Sequence, residues 1–315
     1  MSGSRGGGSW GRRPKPRTDL SAGAAPAKTR RMTKIDDFEL AEFVQRVLGE
    51  DLGTGGDVTS NATIDADASF TAEMNARQQM VLAGLEVAAA FFRTLDAGVA
   101  IELCVEDGAR IETGTTLMRL TGNARAMLAA ERSALNTLQH LSGIATLTRR
   151  YVDAIAGTGA VLIDTRKTLP GLRVLDKYAA RMGGAQNHRM RLDDGMLIKD
   201  NHVAVCGGVA EAVRKGKAAN TGLQVQVEVD RIDQIEPALA AGADRLLLDN
   251  MDTAKLREAV KLVAGRVPLE ASGGVTLETI RFLAETGVNF ISVGRITQSA
   301  PAVDIGLDYS LAPAN

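Results

Sequence analysis

The sequence predicts an α/β protein: an incomplete (open) α/β-barrel in its C-terminal half, behind a small α+β layer domain. Three observations carry that expectation. Between residues 161 and 293, short apolar runs alternate with helical segments at the spacing of βα units. The runs end abruptly in polar, charged or glycine-rich residues, as parallel strands buried on both faces do when their C-terminal ends open on a ligand. Only six such units are clear, which leaves the barrel incomplete.

Taken in order, residues 1–34 read as a flexible basic leader. They are rich in Gly, Ser, Pro and Arg and show no apolar periodicity, so they bury too little to offset the entropy of ordering. A transit peptide is disfavoured by the glycines and the lack of an amphipathic helix. Nine of the 37 Lys/Arg and one of the 38 Asp/Glu fall in this leader, so the remainder carries 28 against 37, a net −9. A body of that sign is not built to bind nucleic acid. No run is long enough for a membrane span. Cys104 and Cys206 lie far apart without metal-ligand spacing, which predicts reduced thiols packed in the core of a cytoplasmic protein.

Residues 35–145 are expected to form the first domain. A helix from residue 37 to about 60 closes on Glu50-Asp51-Leu52-Gly53-Thr54-Gly55-Gly56-Asp57, a cluster that reads as a turn. Strand-like runs at 73–80, 100–106 and 116–121 surround a helix near 86–95. A long helix spans about Asn123 to Ile155, with Leu128, Leu135, Leu138, Leu141, Val152 and Ile155 near helical spacing. Arg132 on it is either a solvated charge or a side chain reaching a neighbouring subunit. His140 reads as structural. Residues 146–300 form the barrel that holds the site, and the tail, 301–315, packs back on the first domain.

The barrel is organised around Asp164–His202. Val161-Leu162-Ile163 runs into Asp164-Thr165-Arg166-Lys167, and Met196-Leu197-Ile198 runs into Lys199-Asp200-Asn201-His202. Pro170 suits a helix start and Gly183-Gly184 its stop, after which Asn187-His188-Arg189 returns to the same end of the sheet. So many cations at strand ends call for an anion. The remaining strands, 223–229, 245–248, 267–271 and 290–293, bring Glu228, Asp249, Ser272-Gly273-Gly274 and Val293-Gly294-Arg295 to that end. Helices are expected at 232–241, 253–263 and 277–286.

Glycine turns at the last two strands of a barrel aim N–H groups, and here a helix N-terminus, at phosphate oxygens. Two acids facing several cations suggest Mg²⁺ bridging a polyphosphate. Other readings stay open. Glu228 and Asp249 serve equally as ion-pair partners of Lys167 and Lys199, and Lys199 as a Schiff-base lysine. A zinc pair at His188 and His202 lacks a third ligand.

Several ordered blocks add a resemblance. Asp164-Thr165-Arg166-Lys167-Thr168, Pro170-Gly171-Leu172-Arg173, Lys177-Tyr178-Ala179, Asn187-His188-Arg189 and Leu197 to His202 closely resemble the quinolinate phosphoribosyltransferases. So do the segment Glu50 to Thr59, Glu131-Arg132 through Asn136, Ser142 to Thr146, Glu228 to Asp230, Leu248 to Asn250, Glu270 to Val275 and Ile291 to Gly294. The resemblance covers nearly the whole chain after the leader.

It implies an N-terminal α/β sandwich with an open α/β-barrel, a site at a homodimer interface, and transfer of a phosphoribosyl group from phosphoribosyl pyrophosphate to quinolinate with decarboxylation, in de novo NAD biosynthesis. It also implies roles. Thr165, Arg166, His188, Arg189, Lys167 and Lys199 would surround the quinolinate, with Arg132 arriving from the partner. Glu228 and Asp249 would face the ribose and Mg²⁺ and, with Lys167 and Lys199, do the catalytic work. Ser272, Gly273, Gly274, Val293, Gly294 and Arg295 would hold the 5′-phosphate. The chain departs from the pattern at Gln298, commonly His, and at Arg191, commonly Gly, which would add a cation beside the site. A barrel paralogue associated with molybdate transport, or a catalytically silent subunit, are the rival readings.

Overall fold

The structure, a computed structural model, describes Ile35 and residues 38–310. The leader therefore lies outside the described residues, as does the end of the tail.

α1 (Leu40–Leu52) buries Phe43, Val44 and Leu48 and ends at Gly53, whose φ is +52°. The expected helix to residue 60 is thus interrupted. The chain turns and restarts as α2 (Val58–Thr63), because Asp57 caps the new helix by accepting from the N–H groups of Thr59 and Ser60 at 3.0 Å each. The next elements are β1 (Ser69–Ala76), β2 (Met80–Val81), α3 (Leu85–Leu95), β3 (Ala100–Leu103), β4 (Arg110–Ile111) and β5 (Thr116–Asn123). In β1, Phe70, Ala72, Met74 and Ala76 are buried and their neighbours are not, the period of two of a strand with one face on the core. α4 (Ala124–Ala154) runs for 31 residues, capped by Asn123, and crosses residue 145 without a break. It packs on α3 and α1 and also on the barrel helices. At Gly143 a Cβ would stand 2.2 Å from the Pro301 carbonyl oxygen, so only glycine lets the C-terminal segment lie against this helix.

The barrel half follows as β6 (Val161–Ile163), α5 (Arg173–Met182), β7 (Met196–Ile198), α6 (Asp200–Cys206), α7 (Val209–Ala218) and β8 (Val225–Val229). Then come a 3-10 turn at Ile232–Gln234, α8 (Ile235–Ala240), β9 (Arg245–Asp249), α9 (Thr253–Val263), β10 (Leu269–Ser272), α10 (Ile280–Ala284), β11 (Phe290–Ser292), α11 (Arg295–Gln298) and β12 (Ile305–Ser310). Six of these strands form a parallel sheet in the order β6-β11-β10-β9-β8-β7. The open α/β-barrel expected from six βα units is therefore present, and its seam lies between β6 and β7. There the chain at Gln186 bridges Ile163 in parallel, with N–H to the Leu162 carbonyl at 2.9 Å. β12 instead joins the antiparallel sheet β12-β1-β5-β3.

Two expectations change. Cys104 and Cys206 are free but only half-buried, since one sits in the turn after β3 and the other ends α6. The helix expected from residue 277 begins at Ile280, because Thr279 Oγ1 accepts from Thr276 N–H at 3.0 Å and holds the intervening residues in a turn. No helix among the described residues is long and apolar enough to cross a membrane.

The Asp57 cap gives a prediction with a sign. Its carboxyl is held below the usual range, first by the Ser60 hydroxyl and then, against a small effect of burial, by the Ser60 and Thr59 N–H groups. Its stabilisation is complete above the unfolded carboxyl pKa of about 3.9 and is lost as pH falls through the lower folded value. Denaturant unfolding of Asp57→Ala at neutral pH is expected to show a loss of about 1 kcal/mol. The gap to the parent should close in strong acid.

Candidate active site

The C-terminal ends of all six parallel strands line one cavity of about 670 Å³. Thr165, Arg166 and Lys167 follow β6, Lys199 follows β7, Glu228 lies in β8, and Asp249 and Ser272 end β9 and β10. Gly273 and Gly274, then Val293, Gly294 and Arg295, continue the wall, and His188 and Arg189 enter it from the seam. Arg132 does not line it; the side chain stands on the exposed face of α4.

What holds the cations in place is a buried ion pair. Asp164, at the end of β6, is fully buried against the Lys177 ammonium of α5, itself 1% exposed. The same carboxylate accepts from the Asn187 side chain and, at 2.8 Å, from the His188 N–H. Lys177 reaches the carbonyls of Thr165 and Arg189, both at 3.4 Å. Burial pushes the Asp164 carboxyl up and the Lys177 ammonium down, each against the attraction of the other. Neither the Arg166–Lys167 loop nor the His188–Arg189 loop can move without disturbing this pair.

Further ties fix the first loop. Leu169 N–H donates to Asp176 at 3.0 Å, and Asp176, fully buried, is 2.8 Å from His140 of α4. Thr297 Oγ1 donates to the Lys167 carbonyl at 2.7 Å, so α11 braces the same loop. His202 is a capping group: its Nδ1 accepts from the Lys199 N–H at 2.9 Å. Among the described residues no group of three or more His, Cys, Asp or Glu is placed to hold a metal ion.

The two arginines occupy one wall, and the acids share another with the lysines. Arg166 and Arg189 are close neighbours: burial, and then the Arg166 charge, pull the Arg189 pKa down. The Nε of Arg166 is buried without a hydrogen-bond partner. Across the cavity Lys199 Nζ is 3.3 Å from Glu228. Burial raises the Glu228 carboxyl, Lys199 opposes it, and Asp249 adds to the rise. Asp249 is likewise raised by burial, against Asn250 and the two lysines. Gly273 has φ +96°, and a Cβ there would stand 2.1 Å from Asn250 Oδ1, so the turn after β10 admits only glycine.

Sequence reasoning passed over Asn250 and Glu270. Asn250 has φ +53° and donates to Asp249 at 2.6 Å. Glu270 is 1% exposed on the cavity floor and pairs with Arg245 at 2.8 Å. Its signal was legible: an acid inside the apolar run Leu269–Ala271 needs a partner.

Comparison with known proteins now bears on this geometry. Residues 57–142 match the family model for the N-terminal domain of quinolinate phosphoribosyl transferase, and residues 144–308 match the model for its C-terminal domain. The chain belongs to the quinolinate phosphoribosyltransferase family. It is 44% identical over 278 residues to the nicotinate-nucleotide pyrophosphorylase [carboxylating] of Mycobacterium leprae, covering 86% of this chain and 98% of that one. A probable enzyme of the same name from Bacillus subtilis is 40% identical over 88% of this chain and 96% of its own. The solved nicotinate-nucleotide pyrophosphorylase of Francisella tularensis superposes with a TM-score of 0.84 at 38% identity, covering 88% of this chain and 99% of that one.

Two details depart from the expectations drawn from the sequence. With α10 starting at Ile280, Ser272–Gly274 offers loop N–H groups, without a helix N-terminus behind them. Arg191 turns away from the cavity wall, 64% exposed and 3.1 Å from Asp193, so it adds no cation to the site. Gln298 does line the cavity.

Removing one member of the buried pair should be severe. Asp164→Asn leaves Lys177 charged and uncompensated in the interior, a loss of about 3–5 kcal/mol. Urea unfolding measures it; a loss below about 1 kcal/mol would show that the two loops are held some other way.

Proposed function

We propose that this quinolinate phosphoribosyltransferase family member transfers the phosphoribosyl group of 5-phosphoribosyl 1-pyrophosphate to quinolinate. Pyrophosphate and carbon dioxide leave, and nicotinate mononucleotide results, for NAD biosynthesis. The observation that carries the reading is the pair Arg166 and Arg189, two half-buried arginines lining one cavity, with the Arg166 Nε itself buried and unsatisfied. Two forks side by side suit two carboxylates on adjacent ring carbons, and guanidinium binds carboxylate bidentately.

In this reading Arg166 and Arg189 fix the diacid so that the ring nitrogen faces the ribose C1. The nitrogen's lone pair forms the new bond to C1 while the C1–O bond breaks and its electron pair departs on pyrophosphate. Glu228 and Asp249 stabilise the positive charge that develops on the ribose, and Lys167 and Lys199 the negative charge on the leaving group. The nitrogen is then quaternary. It accepts the electron density released when the bond from C2 to its carboxylate breaks, so carbon dioxide leaves and C2 takes up a proton. Thr165 completes the wall beside the diacid, and the turns Ser272–Gly274 and Val293–Arg295 receive the 5′-phosphate.

Two carboxylates near two lysines fit Mg²⁺ in its usual mode of one or two protein oxygens plus substrate phosphates, and they do not make a protein-only cage. Glu228 and Asp249 would hold the ion, which would neutralise pyrophosphate charge. The exposed Arg132 fits a homodimer in which it enters the partner's site. Two free thiols and no membrane-crossing helix among the described residues fit a cytoplasmic enzyme.

The deciding assay supplies phosphoribosyl pyrophosphate and Mg²⁺ with quinolinate or nicotinate. Nicotinate mononucleotide is expected from quinolinate alone; formation from nicotinate would take the second-carboxylate role away from the arginines. The shared site has its own test. Arg132→Ala and Glu228→Ala are each expected to lose turnover. Unfolded and reassembled together in equal amounts, they should regain roughly a quarter of parental activity, because half the dimers are mixed and each holds one intact site. No recovery would place Arg132 outside the partner's cavity.

A further inference from the structure

We propose that His188 is a neutral positioning residue, protonated at Nε2, that fixes Arg189 and gives the diacid no charge; the inference rests on the quinolinate reading of the cavity. The hydrogen bonds set its tautomer. The Arg189 peptide N–H can only donate, and it lies 2.8 Å from His188 Nδ1. Nδ1 therefore offers its lone pair, and the ring proton sits on Nε2. Nε2 is 3.1 Å from Gln226 Oε1 and 3.6 Å from a Glu270 oxygen. The amide of Gln226 agrees: its Nε2 donates to Glu270 at 2.7 Å, which leaves its oxygen for His188.

The charges agree as well. Glu270 is 1% exposed, and its counter-ion is Arg245 at 2.8 Å, whose guanidinium lies 3.9 Å from the centre of the Phe290 ring. Glu270 thus has Arg245 as a charged neighbour, and a neutral ring with its proton on Nε2 can still face the carboxylate as a donor. A second proton on Nδ1 would face the Arg189 N–H, donor against donor, and that hydrogen bond would be lost.

Both ring nitrogens are committed to the protein, so the ring surface left for the cavity is carbon. What His188 supplies is direction. Its own N–H is held by Asp164 at 2.8 Å, its Nδ1 holds the next N–H, and the Arg189 guanidinium donates onward to the Gly195 carbonyl at 2.8 Å. The orientation of a buried carboxylate, Asp164, is thereby passed to the arginine that meets the substrate.

The chain contains three histidines, so protein labelled with ¹⁵N only at histidine gives three imidazole spin systems. The set missing from His188→Asn identifies His188. The expected spectrum shows a neutral ring protonated at Nε2, unchanged when quinolinate saturates the site. An Nδ1-protonated ring, or an imidazolium formed on quinolinate binding, overturns the proposal.

Kinetics supply a second arm. Asn places its side-chain oxygen where Nδ1 lies, whereas Gln reaches the position of Nε2. Both variants should weaken the enzyme, but His188→Asn should exceed His188→Gln by tenfold or more in kcat/KM for quinolinate. The difference should sit in the quinolinate KM, with the KM for phosphoribosyl pyrophosphate alike in the two. Equal variants, or Gln the better, overturn it. Absence of quinolinate turnover in the parent would instead overturn the functional reading, while the tautomer of the free protein would still be decided by the spectrum.

Discussion

The barrel lacks a strand pairing between β6 and β7, and the buried contact of Asp164 with Lys177 takes over at that seam. A buried ion pair usually contributes little net stability, since desolvating two charges costs about as much as their attraction returns. Here the pair has more to do than attract. Asp164 also accepts from Asn187 and His188, and Lys177 also reaches two carbonyls, so each ion satisfies backbone or amide groups that would otherwise be buried without partners. An apolar replacement of equal volume would fill the space but orphan those groups. The seam is closed by polar bonds because it must also present two cation-bearing loops.

Those loops then create an imbalance. Five cations line the cavity, Arg166, Lys167, Arg189, Lys199 and Arg295, against three carboxylates, of which Glu270 is already paired with Arg245. On one wall guanidiniums repel each other; on the other, burial first, then Asp249 beside Glu228 and Asp200 beside Asp249, disfavour the ionised acids. Both strains run in the direction a polyanionic reaction relieves. A diacid screens the arginines, and positive charge developing on a ribose favours the ionised acids. The folded chain carries this cost before any substrate arrives, which is a common feature of sites built for charge that appears only during the reaction.

Much of this was legible in the sequence, and the reason is periodicity. Apolar runs at 161–163, 196–198 and 245–248 could be read as buried strands because each ends sharply in charge or glycine, and the chemistry sits at those ends. What stayed hidden were pairings between distant residues. β12 joins β1, yet nothing in residues 305–310 names residues 71–76 as a partner. Lys177 reads like any helix lysine, since sequence does not say which cation is buried. The late start of α10 depends on one hydroxyl, Thr279, folding back on Thr276. Arg191 looked like a site cation by position alone, and the structure shows it largely exposed, 3.1 Å from Asp193.

The cavity floor shows why such polar pairings matter to function. Barrel interiors are ordinarily filled by layers of branched apolar side chains. Here His188, Gln226, Glu270 and Arg245 occupy part of that space, and a second cavity of about 430 Å³ opens on the far side of His188, Gln226 and Arg245. The polar group is therefore a plug between two openings. A plug of Val and Leu would seal as well but would leave Arg189 without a reference direction. A polar plug gives direction where its donors and acceptors are matched one to one. Here Gln226 uses both ends of its amide and His188 both ring nitrogens, while Arg245 meets Glu270 as a charge at 2.8 Å, with its Nε and Nη2 left without hydrogen-bond partners. One arrangement of protons fits those contacts. Arg189, on the cavity wall, inherits its orientation from that arrangement.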